Sequence, residues 1–217
     1  MRIPVVMLLP LTLSLAAASV FDWAASGGGM KAAKVRGLNV DPAGNILIAG
    51  ECAEEAGFGV VKHAGLGLND VFVAKLDPRG KYLWSKVAGG PLIDRAYAVA
   101  TDASGNVYVT GHFQGGSALF DGQVVRGRGD YDAFVVSYDK DGRLRWVRTA
   151  GGKGYDYGHG VAVDSRGDVI VAGAVVGENP NERLVCHRYS ENQEAIFLHP
   201  EALSDHQYCA ALQYALV

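Results

Sequence analysis

Cysteine is scarce in this sequence. Only three occur in 217 residues, Cys52, Cys186 and Cys209, and their spacing matches no zinc site. Cys186 and Cys209 could pair with each other. Equally, all three could be buried thiols acting as small hydrophobes. Basic residues are not in excess: 20 Lys and Arg face 23 Asp and Glu, for a net charge of −3. No basic stripe is present, which argues against nucleic acid or an anionic membrane as partner. Past the N-terminus there is no helical period of any length. No Gly-x-Ser-x-Gly elbow, phosphate loop or paired catalytic carboxylate motif occurs, so no catalytic, cofactor-binding or metal-ligating residue is assigned and no cofactor is expected.

The longest uncharged apolar run is Ile3 to Leu15, preceded by Arg2 and followed by Ala16-Ala17-Ala18-Ser19. This is the pattern of a signal peptide over 1–19, with cleavage near Ser19 or Val20 and a secreted, periplasmic or cell-surface destination. The run falls short of the ~20 residues a membrane helix needs, so no stable membrane span is expected, although an uncleaved anchor is the alternative.

What the chain has in quantity is glycine, 29 residues, and self-similarity. Asp70 to Trp84 and Asp132 to Trp146 are copies of one sentence, and Trp23 marks a third place one period earlier. Asn39 to Gly50, Ala100 to Gly111 and Ala162 to Gly173 form a second matched set. Asp41, Asp102 and Asp164 recur with the same period, as do Gly50, Gly111 and Gly173. A Gly pair follows each Trp: Gly28-Gly29, Gly89-Gly90 and Gly151-Gly152. Such a period requires each unit to bury its face against the next.

Within the period, short alternating runs are separated by Asp-x-x-Gly turns. Val107 and Val109 fall on one face, Tyr108 and Thr110 on the other. An Asp side chain can bind turn N–H groups, and Gly tolerates positive φ. Four strands per repeat are predicted, near Tyr97–Asp102, Asn106–Phe113, Asp132–Asp139 and Arg143–Ala150. The Gly-rich stretch between Gly111 and Asp132 reads as a long loop or an extra edge strand.

The pattern Asp-Ala-Phe-Val-x-x-Tyr-Asp-x-x-Gly-x-x-x-Trp, then Gly-Gly, then Gly-Val-Ala-Val-Asp-x-x-Gly-Asp-Val-x-Val-x-Gly resembles the SBBP repeat of bacterial β-propellers, found mostly in predicted cell-surface or secreted proteins. The resemblance covers about Val20 to Gly177. It implies an all-β fold, a propeller-like array of four-stranded antiparallel blades, and no shared catalytic motif. Repeats are placed at about 21–81, 82–143 and 144–197, with 198–217 a partial repeat, in one domain over 20–217. The count is about three blades plus partial elements at Phe21–Ser26 and Asp205–Val217. That is an incomplete array set against the 4–8 blades of closed propellers. Ala33 stands where later copies carry Asp94 and Asp156, and the tail from Leu184 to Phe197 only loosely follows Ala133 to Trp146.

Several features invite a sharper assignment. Asp139-Lys-Asp-Gly142 could hold calcium, but hairpin turn chemistry accounts for the same residues in every repeat. Arg128-Gly-Asp130, in a Gly-rich loop, and Arg166-Gly-Asp168, in a hairpin, could serve adhesion. His63, His112, His159, His187, His199 and His206 are scattered and read as surface or blade-face residues. His159 with Asp156 could form an acid/base couple, but it falls on Ala98 of the preceding copy. Trp23, Trp84 and Trp146 read as blade-to-blade packing rather than quinone contacts. The leading expectation is a non-catalytic interaction or scaffold module for an unknown protein or glycan, with self-association through open blade edges. The alternatives are a propeller enzyme of lyase or quinone-dependent dehydrogenase type, using polar groups that converge at a central channel, and an incomplete fragment of a longer propeller.

Overall fold

A computed structural model describes residues 23–29, 31–176, 182–189 and 195–198. Among them every regular element is a strand. β1 (Gly27–Gly28), β2 (Ala33–Val40), β3 (Ile46–Cys52), β4 (Ala56–Phe58), β5 (Val61–His63), β6 (Asp70–Leu76) and β7 (Tyr82–Ala88) come first. β8 (Arg95–Thr101), β9 (Val107–Gln114), β10 (Ser117–Phe120), β11 (Gln123–Arg126), β12 (Tyr131–Tyr138) and β13 (Leu144–Ala150) follow. β14 (Tyr157–Val163), β15 (Val169–Val176), β16 (Glu182–Tyr189) and β17 (Ala195–Leu198) complete the order.

Three antiparallel four-stranded sheets result, in the orders β2-β3-β6-β7, β8-β9-β12-β13 and β14-β15-β16-β17. They are the blades. The third is the degenerate one in sequence, yet Tyr189 pairs with Val169 as Tyr138 pairs with Val107. The predicted strands are present. The Gly-rich stretch after Gly111 is a hairpin, β10 with β11, paired from Ser117↔Arg126 to Phe120↔Gln123. The partial element at Asp205–Val217, the segment before Trp23 and the side chains of Cys186 and Cys209 lie outside the described residues.

Each Asp-x-x-Gly hairpin is built by its first Asp. Asp102 Oδ1 accepts from the N–H groups of Ser104 and Asn106, at 2.9 and 2.8 Å. Asp41, Asp77, Asp139 and Asp164 repeat the pattern. Gly105 follows with φ +79°, in the left-handed region that favours glycine. The Asp-rich turns are thereby explained as hairpins.

Blades meet through three repeated couplings. The first is apolar: β6 is buried along its whole length, between the second blade and the β4–β5 hairpin, and β12 along nearly all of it, between the first and third blades. One core joins Leu47, Val71 and Val73 of the first blade to Val107, Val109, Phe134 and Tyr138 of the second. The second coupling is the inserted hairpin. Leu119 and Gly89 exchange backbone hydrogen bonds at 2.7 and 3.1 Å, so the second blade reaches back to the Gly pair that ends the first. Gly28 pairs with Gly57 of β4 in the same manner.

The third coupling is tryptophan. Trp84, on the outer strand of the first blade, donates its indole N–H to the carbonyl of Lys140 in the second blade's hairpin, 3.1 Å away. Buried Lys75 reaches the same carbonyl at 3.2 Å and pairs with Asp41 at 2.8 Å. Trp23 repeats the contact one period earlier, donating to Pro78 O at 3.0 Å. Trp84 thus clips the first blade to the second, and Trp23 clips the segment before the first blade to that blade's outer hairpin.

Candidate functional site

The inner strands β2, β8 and β14 each carry one β-bulge. The register shifts between Val35 and Gly37, between Ala96 and Ala98, and between Gly158 and Gly160. The bulged residues are Arg36, Tyr97 and His159. His159 therefore matches Tyr97 and not Ala98, which corrects the alignment by one residue. A bulge leaves its residue outside the ladder and re-aims the side chain. Here the three side chains converge. The Arg36 guanidinium lies 5.5 Å from the centre of the Tyr97 ring, and that ring lies 5.1 Å from the ring of His159.

The repeated glycines Gly50, Gly111 and Gly173 make the bulges possible. Each faces the residue just before a bulge. A Cβ on Gly111 would collide with the carbonyl oxygen of Arg95, and one on Gly50 or Gly173 would strike Lys34 O or Tyr157 O in the same way. Only glycine allows that approach, so the periodic glycine and the periodic bulge are one feature.

Around this triad a larger cluster assembles from all three blades. Glu51, 4% exposed, accepts both Arg36 donors: Nε, and Nη2 at 2.8 Å. Arg95 Nε lies 3.7 Å from the same carboxylate but has no hydrogen-bond partner. His112 is 1% exposed, and neither of its ring nitrogens is hydrogen-bonded. It sits against Tyr97 at 5.4 Å and meets the rings of Tyr131 and Tyr157 nearly edge-on, at 4.8 and 5.1 Å. Weak N–H to ring contacts of this kind satisfy an imidazole only in part. Burial, followed by the charges of Arg95, His159 and Arg36, lowers the His112 pKa to about 3. The imidazole is therefore neutral near pH 7, one nitrogen a donor and the other an acceptor. Of the two readings of His112, surface or blade-face, burial removes the first: on β9 it forms the floor of the cluster. Tyr155, 46% exposed, continues the aromatic wall 5.2 Å from Tyr131. Arg36 and His159 are exposed and Tyr97 is half-buried, so the cluster opens to solvent above His112.

Beside it are two carboxylate pairs at the blade junctions. Asp70 and Asp94 flank Gly89, and Asp132 and Asp156 flank Gly151; all four carboxylates are buried. Asp94 accepts from the N–H groups of Gly90 and Gln114, and Asp156 accepts from Gly152 N–H. Asp156 is thus part of the blade junction rather than the base of a couple with His159. Burial raises the Asp94 pKa to about 6, with the Asp70 charge adding to the rise. Ala33, the first-repeat equivalent, has no such carboxylate. Among the described residues no group of three or more His, Cys, Asp or Glu could hold a metal ion.

The other residues weighed in the sequence fall elsewhere. Arg128 and Asp130 are exposed, while Arg128 N–H and Gly129 N–H bind Asp132. Arg166-Gly-Asp168 lies in the Asp164 hairpin. His63 is hydrogen-bonded to Ser85 at 2.8 Å, and Cys52 is a buried free thiol whose pKa burial pushes up to about 12. The side chains of His187, His199 and His206 lie outside the described residues.

Repeated four-stranded blades, an inner strand lining one axis and a Trp clip to the next blade are the working parts of a propeller. Residues 83–112 match the SBBP family, a beta-propeller repeat. This β-propeller array is also similar to an uncharacterized WD repeat-containing protein of Acanthamoeba polyphaga mimivirus, 28% identical over 113 residues. That alignment takes in 49% of this chain and 8% of the relative, so the chain spans a small part of the length of the relative it matches. The matched SBBP segment runs from the Trp84 strand through the Tyr97 bulge to His112.

Among the described residues no helix is long and apolar enough to cross a membrane.

Proposed function

We propose that this β-propeller repeat protein is exported and acts as a non-catalytic binding module whose ligand site is the axial cluster of Arg36, Arg95, Tyr97, Tyr155 and His159 over His112. The observation that carries the reading is the convergence at the bulges. The repeat keeps its Asp turns and its bulge-facing glycines alike in all three copies, while the bulged position is Arg in one, Tyr in the next and His in the third. A position held in place by the fold and free in its chemistry is where a repeat array builds recognition. The strength of the site lies in aromatic surface and an under-shared Arg pair, which suits holding a ligand. Export rests on the charged, apolar and small-residue order of 1–19.

The test has two arms. N-terminal sequencing of protein recovered from the medium or cell surface should begin near Ser19 or Val20. An intact Met1 in the cytoplasm overturns export. Purified chain applied to arrays of glycans and extracellular proteins should bind, and Tyr97→Ala/His159→Ala should lose that binding while keeping the wild-type melting temperature. Equal binding by the variant overturns the axial site.

A further inference from the structure

We propose that two copies of this chain join head to tail, the open face of the first blade of each taking the open face of the third blade of the other.

The successive blades show what each face is built to meet. Strand β8 of the second blade turns Ala96, Val99 and Thr101 toward the first. Ala96 and Val99 are 0% and 6% exposed there, in one core with Leu47 and Val73. Thr101 donates its hydroxyl to Asn39 Oδ1 at 3.1 Å. The same positions of β2, one period earlier, are Val35, Leu38 and Val40, and they are 56%, 66% and 55% exposed. The outer half of that face is closed by the chain itself. Trp23 binds Pro78 O, Gly28 pairs with Gly57, and Phe58 of the β4–β5 hairpin packs on Phe72. Among the described residues nothing covers the inner half. Every blade ends in the same two edge strands, and only the first leaves these positions in solvent, so what is open is a sheet face and not an edge.

The third blade is open on the opposite side. Gly37, on the side of the first blade that meets the second, would place a Cβ 3.0 Å from Ala98 Cα and 3.1 Å from Val99 N. Its counterpart Gly160 has no described atom within 4 Å of an added Cβ. Leu47 and Tyr108 are buried, each by the blade that follows, whereas their counterpart Ile170 is only half-buried.

The two faces suit each other. Between the first and second blades Gly37 meets Val99, and Asn39 meets Thr101. The equivalent pairs between copies are Gly160 with Leu38 and Ala162 with Val40. Small side chains stand against larger apolar ones, and none of the four carries a polar group that burial would leave unsatisfied. An interface made twice within the chain thus continues between chains. Such a contact is heterologous, so it either closes into a ring or grows into a filament. Three blades from each copy give six, inside the 4–8 of closed propellers, so the ring closes at two copies. Closure also carries the bulged row around the axis, Arg36 of each copy following His159 of the other.

Sedimentation velocity of the full mature chain over a concentration series tests this. The wild type should pass from one copy to two and stop there. Leu38→Arg and Gly160→Arg should each weaken the pairing at least tenfold and leave a folded monomer with the wild-type circular dichroism. Val124→Arg, at an exposed valine of the β10–β11 hairpin, should leave the pairing unchanged. The orientation is read from Leu38→Cys and Gly160→Cys. Mixed and mildly oxidised, the two variants should form a disulfide-linked dimer, and neither alone should link beyond the level of the wild type. A wild type that stays monomeric at every concentration overturns the proposal, since the open faces are then met within one chain or not at all. Pairing that survives Leu38→Arg overturns the assigned face. Linking of Leu38→Cys to itself overturns the head-to-tail order, and growth past two copies overturns the closed ring.

Discussion

Arg36 and Tyr97 occupy the same position of two successive repeats and touch, guanidinium over ring, at 5.5 Å. A regular array brings equivalent positions of neighbouring units into register by construction. A bulge at that position turns the register into a row of side chains facing one axis, which His159 extends to the third blade. The chemistry of the row is then set one residue per blade, without disturbing the fold that holds it.

The glycine opposite the bulge should be far less replaceable than a glycine in open space. Gly111→Ala places a methyl group against Arg95 O, and relief of that clash must flatten the bulge or part β8 from β9. A loss of about 2–3 kcal/mol is expected, in the range of overpacked cores. Gly160→Ala, at a residue with nothing within 4 Å of an added Cβ, should change stability by no more than ~0.5 kcal/mol. Urea melts of the two variants make the comparison, and similar midpoints would remove the argument for the periodic glycine.

Trp84→Phe deletes the hydrogen bond to Lys140 O, and Trp84→Ala deletes the ring that covers Gly142 as well. The indole is only half-buried, so the second change should cost about 2–3 kcal/mol and the first ~1 kcal/mol. Both should lower the cooperativity of thermal unfolding, because they uncouple one blade from the next. A clip that mattered only inside its own blade would leave cooperativity intact.

Stability should depend on pH through Asp70 and Asp94. The folded-state pKa of Asp94, about 6, lies above the ordinary carboxylate range. A raised pKa means the stabilising, protonated form is fully present below about pH 4 and is lost as pH climbs through 6. Asp70 Oδ1, buried beside it without a hydrogen bond, is the group to change. Asp70→Asn replaces a charge with an amide that can donate to Asp94. It should flatten the stability curve between about pH 4 and 6 and raise stability at pH 7.5 by about 1–2 kcal/mol. An unchanged slope in melts across that range would show that the two carboxylates do not interact.

Much of this was legible in the amino-acid order, for physical reasons that differ by residue. The Asp-x-x-Gly turns could be read because one carboxylate and one positive-φ glycine make a hairpin locally. Gly105 accordingly has φ +79°. Gly105→Val should therefore cost more than ~1 kcal/mol, against ~0.5 kcal/mol or less for exposed Arg128→Ala, in the same urea assay. The β10–β11 hairpin was harder, since Gly115-Gly116 and Asp121-Gly122 look like loop. Buried Ala118 and Phe120, which give it a reason to fold, are few. The axial cluster was not legible. Its bulged residues differ in every copy, Arg36, Tyr97 and His159, so no shared residue type marks them, although the offset that sets Asp102 on Asp164 also sets Tyr97, not Ala98, on His159. The only trace was Gly50, Gly111 and Gly173, whose purpose depends on a carbonyl of the paired strand.

The central claim is that ligand recognition sits at the bulged residues. A side-chain NMR titration with a ligand recovered from the glycan and protein arrays measures it most directly. The account predicts concerted shifts in the Arg36 and Arg95 Nε–Hε, Tyr97 ring and His159 ring signals, with the Trp84 indole unmoved. Shifts confined to Trp84 and its neighbours Phe58, Val61 and Tyr82, which line an apolar cavity of about 130 Å³ on the first blade, would contradict it.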